Sequence, residues 1–311
     1  MKVTTCKGVE VSALSLGTVQ LGINYGINND GGKPDRAAAM KILDCALEAG
    51  VNALDTAAAY GDSEEVIGQW LKTVPPERQP LITTKLKHLD HSSLENLRAD
   101  VRRQVENCKE RLGLKTIPVL MLHSFEEYDE DRENVTIVFN ELKASGDIRF
   151  SGISAYAHHD YGVIAESGFD AVQIPLNIFD WRQDENGGLE KLRKSGMMIF
   201  VRSVYLQGLV FKDPAKLSPE MEFCRETLEK FRMLCEKYSM TPAQLAISFA
   251  LSVPGVLSLV LGCEKVEQVQ QNAQLLDSCV TLTQEQMQEI KALFKDTDDH
   301  VLNPGTWANA T

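Results

Sequence analysis

The chain has no run of about 18 apolar residues, so no segment reads as a membrane-crossing helix. Met1-Lys2-Val3-Thr4-Thr5-Cys6 lacks the apolar stretch of a signal peptide. Positive charge is scarce: 32 Lys and Arg face 44 Asp and Glu, a net charge of −12. Nucleic acid and anionic membrane surfaces need a basic stripe and are excluded as partners. The seven cysteines are widely spaced and form no CxxC pair, which reads as reduced thiols in a cytoplasmic protein. There is no HExxH, and the adjacent His158 and His159 cannot share one helix face, so no metal is expected. No GxGxxG follows a strand, which counts against a doubly wound dinucleotide-binding sheet. Low-complexity linkers and short repeats are also missing, so residues 1–311 read as one domain. A 43% hydrophobic and 24% charged composition excludes bulk disorder.

What is present is an alternation of short β-prone runs with longer amphipathic stretches. Thr4-Thr5 and Val9–Val11, joined by Lys7-Gly8, predict a small hairpin. Core strands are predicted at Ala13–Leu16, Val51–Asp55, Leu81–Lys85 and Ile117–Leu122. Four more are predicted at Phe150–Ser154, Ala171–Pro175, Met198–Arg202 and Ser258–Leu261. Helical spacing follows each, as in Asp35–Ala49 with Gly50 behind it and Leu94–Leu112 closed by Gly113. Ser92-x-x-Glu95 and Thr283-x-x-Gln286 read as helix starts, and Thr241 as an N-cap before Pro242. Eight βα units in roughly 250 residues predict a closed (β/α)8 TIM barrel with extra C-terminal helices. The open doubly wound sheet is the second choice.

Active sites of such barrels lie at the C-terminal ends of the strands. Asp55 ends the second core strand, Lys85 the third and His123 follows the fourth, each after an apolar run; Tyr60 lies in the loop after Asp55. One charged strand end is usually just solvated. Three in succession, converging on one mouth, point to chemistry.

The segment Asn52–Gly68 resembles the signature of the aldo-keto reductase superfamily, with Asp-Thr-Ala, Tyr-Gly, Ser-Glu and Gly in order. Leu81–Leu86 is similar to the lysine strand of that family and Leu120–Ser124 to its histidine strand. The likeness continues through Gly152–Ser154, Gln173–Asn177, Gln207–Leu209 and Glu267–Asn272. The resemblance implies a barrel plugged by an N-terminal hairpin. It also implies NAD(P)H-dependent reduction of an aldehyde or ketone, with sugar-related substrates one candidate class. Tyr60 would be the general acid. A free tyrosine titrates near pH ~10, and a neighbouring ammonium, here Lys85, favours the phenolate. Asp55 would hold Lys85, and His123 would orient the carbonyl. In the reverse direction the same residues oxidise an alcohol.

The resemblance further implies NADPH as cofactor, with NADH the alternative. Gly17, Thr18, Asp55, Ser154 and Gln173 would face the nicotinamide half. Arg202 stands where the family has an aromatic residue that stacks on that ring; Tyr205 or Trp181 could take the role instead. Ser203, Leu206, Gln207 and Gly208 would line the pyrophosphate. Gly262, Glu264, Lys265, Gln268, Gln271 and Asn272 would meet the adenosine half. Ala155 stands where the family has Asn. Substrate-pocket candidates are Tyr25, Tyr60, His123, Phe125, Tyr156, Trp181 and Trp307, with the tail of about residues 296–311 folding over the barrel mouth. A competing class is a nucleotide-binding regulatory protein like the potassium-channel β-subunits, with little turnover. A metal-dependent barrel hydrolase is a third, and it would need more His and acidic strand ends than this chain has. The expected partner is a small carbonyl or alcohol, and no oligomeric state is read from the sequence.

Overall fold

The computed structural model describes residues 1–27, 29 and 31–307. Strands β1 (Val3–Cys6) and β2 (Val9–Ser12) pair antiparallel as a hairpin. Eight parallel strands then close a barrel: β3 (Leu14–Gly17), β4 (Ala53–Asp55), β5 (Leu81–Leu86), β6 (Ile117–Leu122), β7 (Ile148–Ser154), β8 (Ala171–Pro175), β9 (Met198–Arg202) and β10 (Val256–Gly262). The order around the barrel is sequential, and β10 pairs with β3 to close it. This is the predicted (β/α)8 fold, not the open sheet.

Side chains alternate across a strand, and that alternation builds the site. Ala53, Leu81, Val119, Met121, Phe150, Ala171, Met198 and Phe200 form one buried apolar cluster with Val11 of the hairpin. The same faces continue two or four residues further on to Asp55, Lys85, His123, Ser154, Gln173 and Arg202. The staves β4 to β9 are therefore apolar at the base, where the hairpin plugs the barrel, and polar toward the top. The opposite strand faces pack on the surrounding helices in a second, larger cluster.

The helices form where the spacing placed them, among them Arg36–Glu48, Ser63–Leu71, Leu94–Leu112, Arg132–Ser145, Arg225–Tyr238 and Pro242–Ser252. Thr241 and Thr283 make reciprocal capping boxes with Gln244 and Gln286. At Leu94–Leu112 the cap is one residue later than predicted. Ser93 accepts the Asn96 N–H at 3.1 Å, while the Ser92 hydroxyl donates to Asp90. A serine can turn to a local carboxylate instead of the helix end, and periodicity alone does not tell the two serines apart. Gly113 and Gly146 end their helices in the left-handed region, at φ 67° and 79°. Among the described residues no helix is long and apolar enough to cross a membrane. All seven cysteines are unpaired thiols.

Loss of an N-cap hydroxyl costs roughly 1 kcal/mol. Ser93→Ala is therefore expected to lower the unfolding free energy by about that amount, with Ser92→Ala changing it less. Urea denaturation of the two variants measures the difference; the opposite ranking would place the cap at Ser92.

Candidate active site

The strand tops surround a cavity of about 430 Å³. Asp55 and Gln173 form its floor, and Tyr60 and His123 stand beside them. Lys85 is fully buried behind Asp55. Its Nζ donates to Asp55 Oδ1 at 2.7 Å, to Oδ2 at 2.8 Å and to the Thr56 carbonyl at 3.0 Å. Gln173 Nε2 adds a 2.6 Å bond to Asp55 Oδ1. The sequence reading gave that amide to the nicotinamide; here it is engaged by the carboxylate. Burial pulls the Lys85 ammonium down, but the Asp55 carboxylate and the Tyr60 hydroxyl outweigh it, and the net direction is up. Lys85 is thus a permanent cation, with its Nζ 5.1 Å from the Tyr60 ring centre.

His123 follows β6, and its N–H donates to Leu86 O at 2.8 Å, which ties it to the top of β5. Its ring meets Tyr60 edge-on, 5.7 Å between centres. Burial, then Lys85 and Arg202, push the imidazole down to about 3. At neutral pH it is uncharged, a hydrogen-bonding group that cannot serve as a cationic acid.

Tyr60 is held by close backbone packing. A Cβ on Gly22, in the one-turn helix Val19–Gly22, would sit 1.7 Å from the Tyr60 carbonyl oxygen. Beneath the loop, Ser63 Oγ donates to Thr18, whose own Oγ1 donates to Asp55 O at 2.8 Å. Only glycine at position 22 lets the loops after β3 and β4 touch.

The loop after β9 is strained. Ser203, Leu206 and Gln207 take φ of 62°, 45° and 53°, and Gly208 follows at 93°. Each left-handed non-glycine residue costs on the order of 1–3 kcal/mol, a conformation found mainly at functional sites. Arg202, the last residue of β9, lays its guanidinium over the Tyr156 ring at 4.6 Å and donates to Ala155 O at 3.1 Å. Gln207 Nε2 reaches across to the Tyr25 hydroxyl at 3.2 Å. The side-chain oxygens of Gln20 and Gln207 are buried without a hydrogen-bond partner.

Most residues selected from the sequence meet at this cavity. Gly17, Thr18, Tyr25, Ser154, Tyr156, Arg202, Ser203, Tyr205, Leu206, Gln207, Gly208, Gly262, Glu264 and Gln268 all line it. Others do not. Lys265 and Gln271 are exposed away from its wall. Asn272 is buried behind the wall, accepting from the Tyr205 hydroxyl at 3.0 Å. Phe125 is buried against His159 and Tyr128. Trp181 is buried under the ammonium of Lys291 and lines a separate recess. Trp307 is buried against Phe223, its Nε1 donating to His300 O at 2.7 Å. These three aromatics serve packing because helices and tail cover them. No described tail residue lines the cavity, and residues 308–311 lie outside the described ones.

Sequence reasoning missed Gln20, Asn29, Phe211 and Val260 on the wall. Gln20 carried a signal, as the one polar residue between Val19 and Leu21 directly after a strand end. One cluster also bears on the expectation of no metal: Glu126, His158 and His159 bring ligand atoms within 4.8 Å. His159 Nδ1 accepts the Tyr156 N–H at 3.0 Å, however, and Nε2 faces Glu126 at 3.0 Å. Both ring nitrogens are committed to holding the Tyr156 loop.

Three comparisons with known proteins bear on family and fold. The family model described as "Aldo/keto reductase family" matches residues 13–295. The "NADH-specific methylglyoxal reductase" of Escherichia coli is 29% identical over 301 residues, covering 86% of this chain and 91% of that protein. A "putative voltage-gated potassium channel subunit beta" of Schizosaccharomyces pombe is 26% identical, covering 93% and 92%. The solved holo form of an aldo-keto reductase from Bacillus halodurans superposes with a TM-score of 0.76 at 25% identity, covering 94% and 96%.

The His123 shift carries a pH consequence. Its folded pKa lies below the unfolded value near 6.5, so the unfolded chain takes up the proton first as pH falls. The contribution of His123 to stability is full above pH ~6.5 and is lost progressively toward pH ~3. Chemical denaturation of His123→Gln between those limits is expected to show a shallower acid slope than wild type. Equal slopes would mean that His123 is not shifted.

Proposed function

The chain belongs to the aldo/keto reductase family, and from that premise we propose that it reduces an aldehyde or ketone to an alcohol, with Tyr60 as proton donor. The observation that carries this reading is the buried Lys85 ammonium, fixed by both Asp55 oxygens and set 5.1 Å from the Tyr60 ring centre. Tyr60 gives its hydroxyl proton to the carbonyl oxygen, and Lys85 stabilises the phenolate left behind. Asp55, itself anchored by Gln173, keeps Lys85 in place. Uncharged His123 donates one hydrogen bond to the same carbonyl oxygen and orients it. The reduced nicotinamide supplies the hydride when bound. The residues present fit such a group: a backbone loop at 203–208 in which Ser203, Leu206, Gln207 and Gly208 are left-handed, and two buried, unpartnered amide oxygens on the cavity wall. Ser154, Gln20 and the 203–208 backbone would hold it.

NADH fits this cavity better than the NADPH expected from the resemblance. Glu264 brings a carboxylate to the wall, and the Gln268 oxygen accepts from the backbone N–H groups of Glu264 and Lys265. Lys265 is exposed and off the wall. A carboxylate there repels a 2′-phosphate and accepts from a ribose hydroxyl. The NADH-specific bacterial relative supports the same choice. The channel-subunit relative supports a second reading, a nucleotide-binding regulator with little turnover.

Tyr60→Phe separates the two. Nucleotide binding, followed by fluorescence quenching, is expected to persist, while carbonyl-dependent oxidation of NADH falls by about 10²-fold or more, as for loss of a general acid. Wild-type protein that binds nucleotide and reduces no carbonyl would favour the regulator. For the cofactor, Glu264→Gln removes one like charge and is expected to tighten NADPH relative to NADH on the order of tenfold. An unchanged ratio of the two dissociation constants would sink the role given to Glu264.

A further inference from the structure

Arg202 is an uncompensated cation on the cavity wall. It is half-buried, yet among the described residues no carboxylate pairs with it, whereas Arg98, Arg111, Arg182, Arg193 and Arg225 each hold one. Its own partners are neutral: the Ala155 carbonyl, the Ser203 hydroxyl at 3.4 Å and the face of Tyr156. A guanidinium offers five donors in a fixed fork suited to carboxylate and phosphate, and these contacts leave part of that fork open to the cavity.

Lys85 and Arg202 both push the proton off His123, but Lys85 is already paired with Asp55, so Arg202 is the cation on this part of the wall that no carboxylate among the described residues answers. Of the carboxylates on the wall, Asp55 is taken by Lys85 and Gln173, and Glu264 lies at the top of β10 with Gln268. Tyr156 lies under the guanidinium, and Tyr25 and Phe211 also line the cavity with part of their rings exposed.

We infer that Arg202 selects carbonyl compounds carrying an anionic group, a carboxylate or a phosphate, whose body lies on the rim aromatics while Tyr60 and His123 hold the carbonyl. This rests on the reductase reading above.

The test uses the purified full chain with NADH and two matched pairs of aldehydes. One pair is benzaldehyde and 4-carboxybenzaldehyde; the other is glyceraldehyde and glyceraldehyde 3-phosphate. Wild type is expected to favour the charged member of at least one pair by about tenfold or more in kcat/KM, mainly through KM, the size of one charge-assisted hydrogen bond. The pair that responds tells carboxylate from phosphate. Arg202→Gln is expected to bring that ratio to about one, and Arg202→Lys to retain part of it, as an ammonium keeps charge without the fork. Ratios near one in both wild-type pairs overturn the inference, and so does a preference that survives in Arg202→Gln. If Arg202→Gln instead weakens NADH quenching and leaves the preference intact, the cation serves the nucleotide and the inference fails. No oxidation of NADH with any of the four aldehydes strikes the reductase reading itself.

Discussion

The site depends on one buried ion pair. An isolated ammonium in the interior is strongly disfavoured, and Lys85 is tolerated there because Asp55 meets it with both oxygens and Thr56 with a carbonyl. Removing one partner of such a pair typically costs about 3–5 kcal/mol, because the other charge is left bare. The pair therefore holds Lys85 in its charged form. Much of the electrostatics follows from that. His123 is held neutral partly by Lys85, and the same ammonium lies 5.1 Å from the Tyr60 ring centre.

The pair exists because the barrel puts strand ends side by side. Asp55 and Lys85 lie 30 residues apart and Gln173 another 88 beyond Lys85, yet each tops a parallel strand on its inward face. The hairpin fills the base of the same barrel with Val11, so polar groups at the top sit over a dry floor. The loops complete the cavity by close approach rather than by bulk. Gly22 lets the backbone at Tyr60 press against the helix Val19–Gly22, and the loop from Ser203 to Gly208, with four left-handed residues, brings Gln207 to Tyr25. Strain in that loop persists because the flanking strand and helix fix its ends.

Much of this was legible in the chain. Asp55, Lys85 and His123 each end an apolar run of strand length, and period-two alternation puts them on the face shared with Ala53, Leu81 and Met121. The C-cap at Gly113 was equally plain, since glycine is the residue most at ease at that φ. The aromatic residues were not. Tyr25 and Tyr156 reach the cavity, while Phe125, Trp181 and Trp307 are packed elsewhere. An aromatic ring suits a core and a binding wall equally well, and nothing local distinguishes them. The serine pair at 92–93 failed for a similar reason: either hydroxyl can cap, and the position of Asp90 decided which one does.

The sequence by itself determined the eight βα units and the polar residues that follow the apolar runs of the staves. Those properties follow from short-range periodicity, which each segment carries alone. The tertiary structure decided which partner each polar group takes. It gave the Gln173 amide to Asp55, tied both nitrogens of His159 to the Tyr156 loop and left Arg202 on the wall without a carboxylate. These are contacts between groups far apart in the chain, within hydrogen-bond reach only once the barrel has closed. Their geometry is set by strand register and loop path, which no single segment encodes.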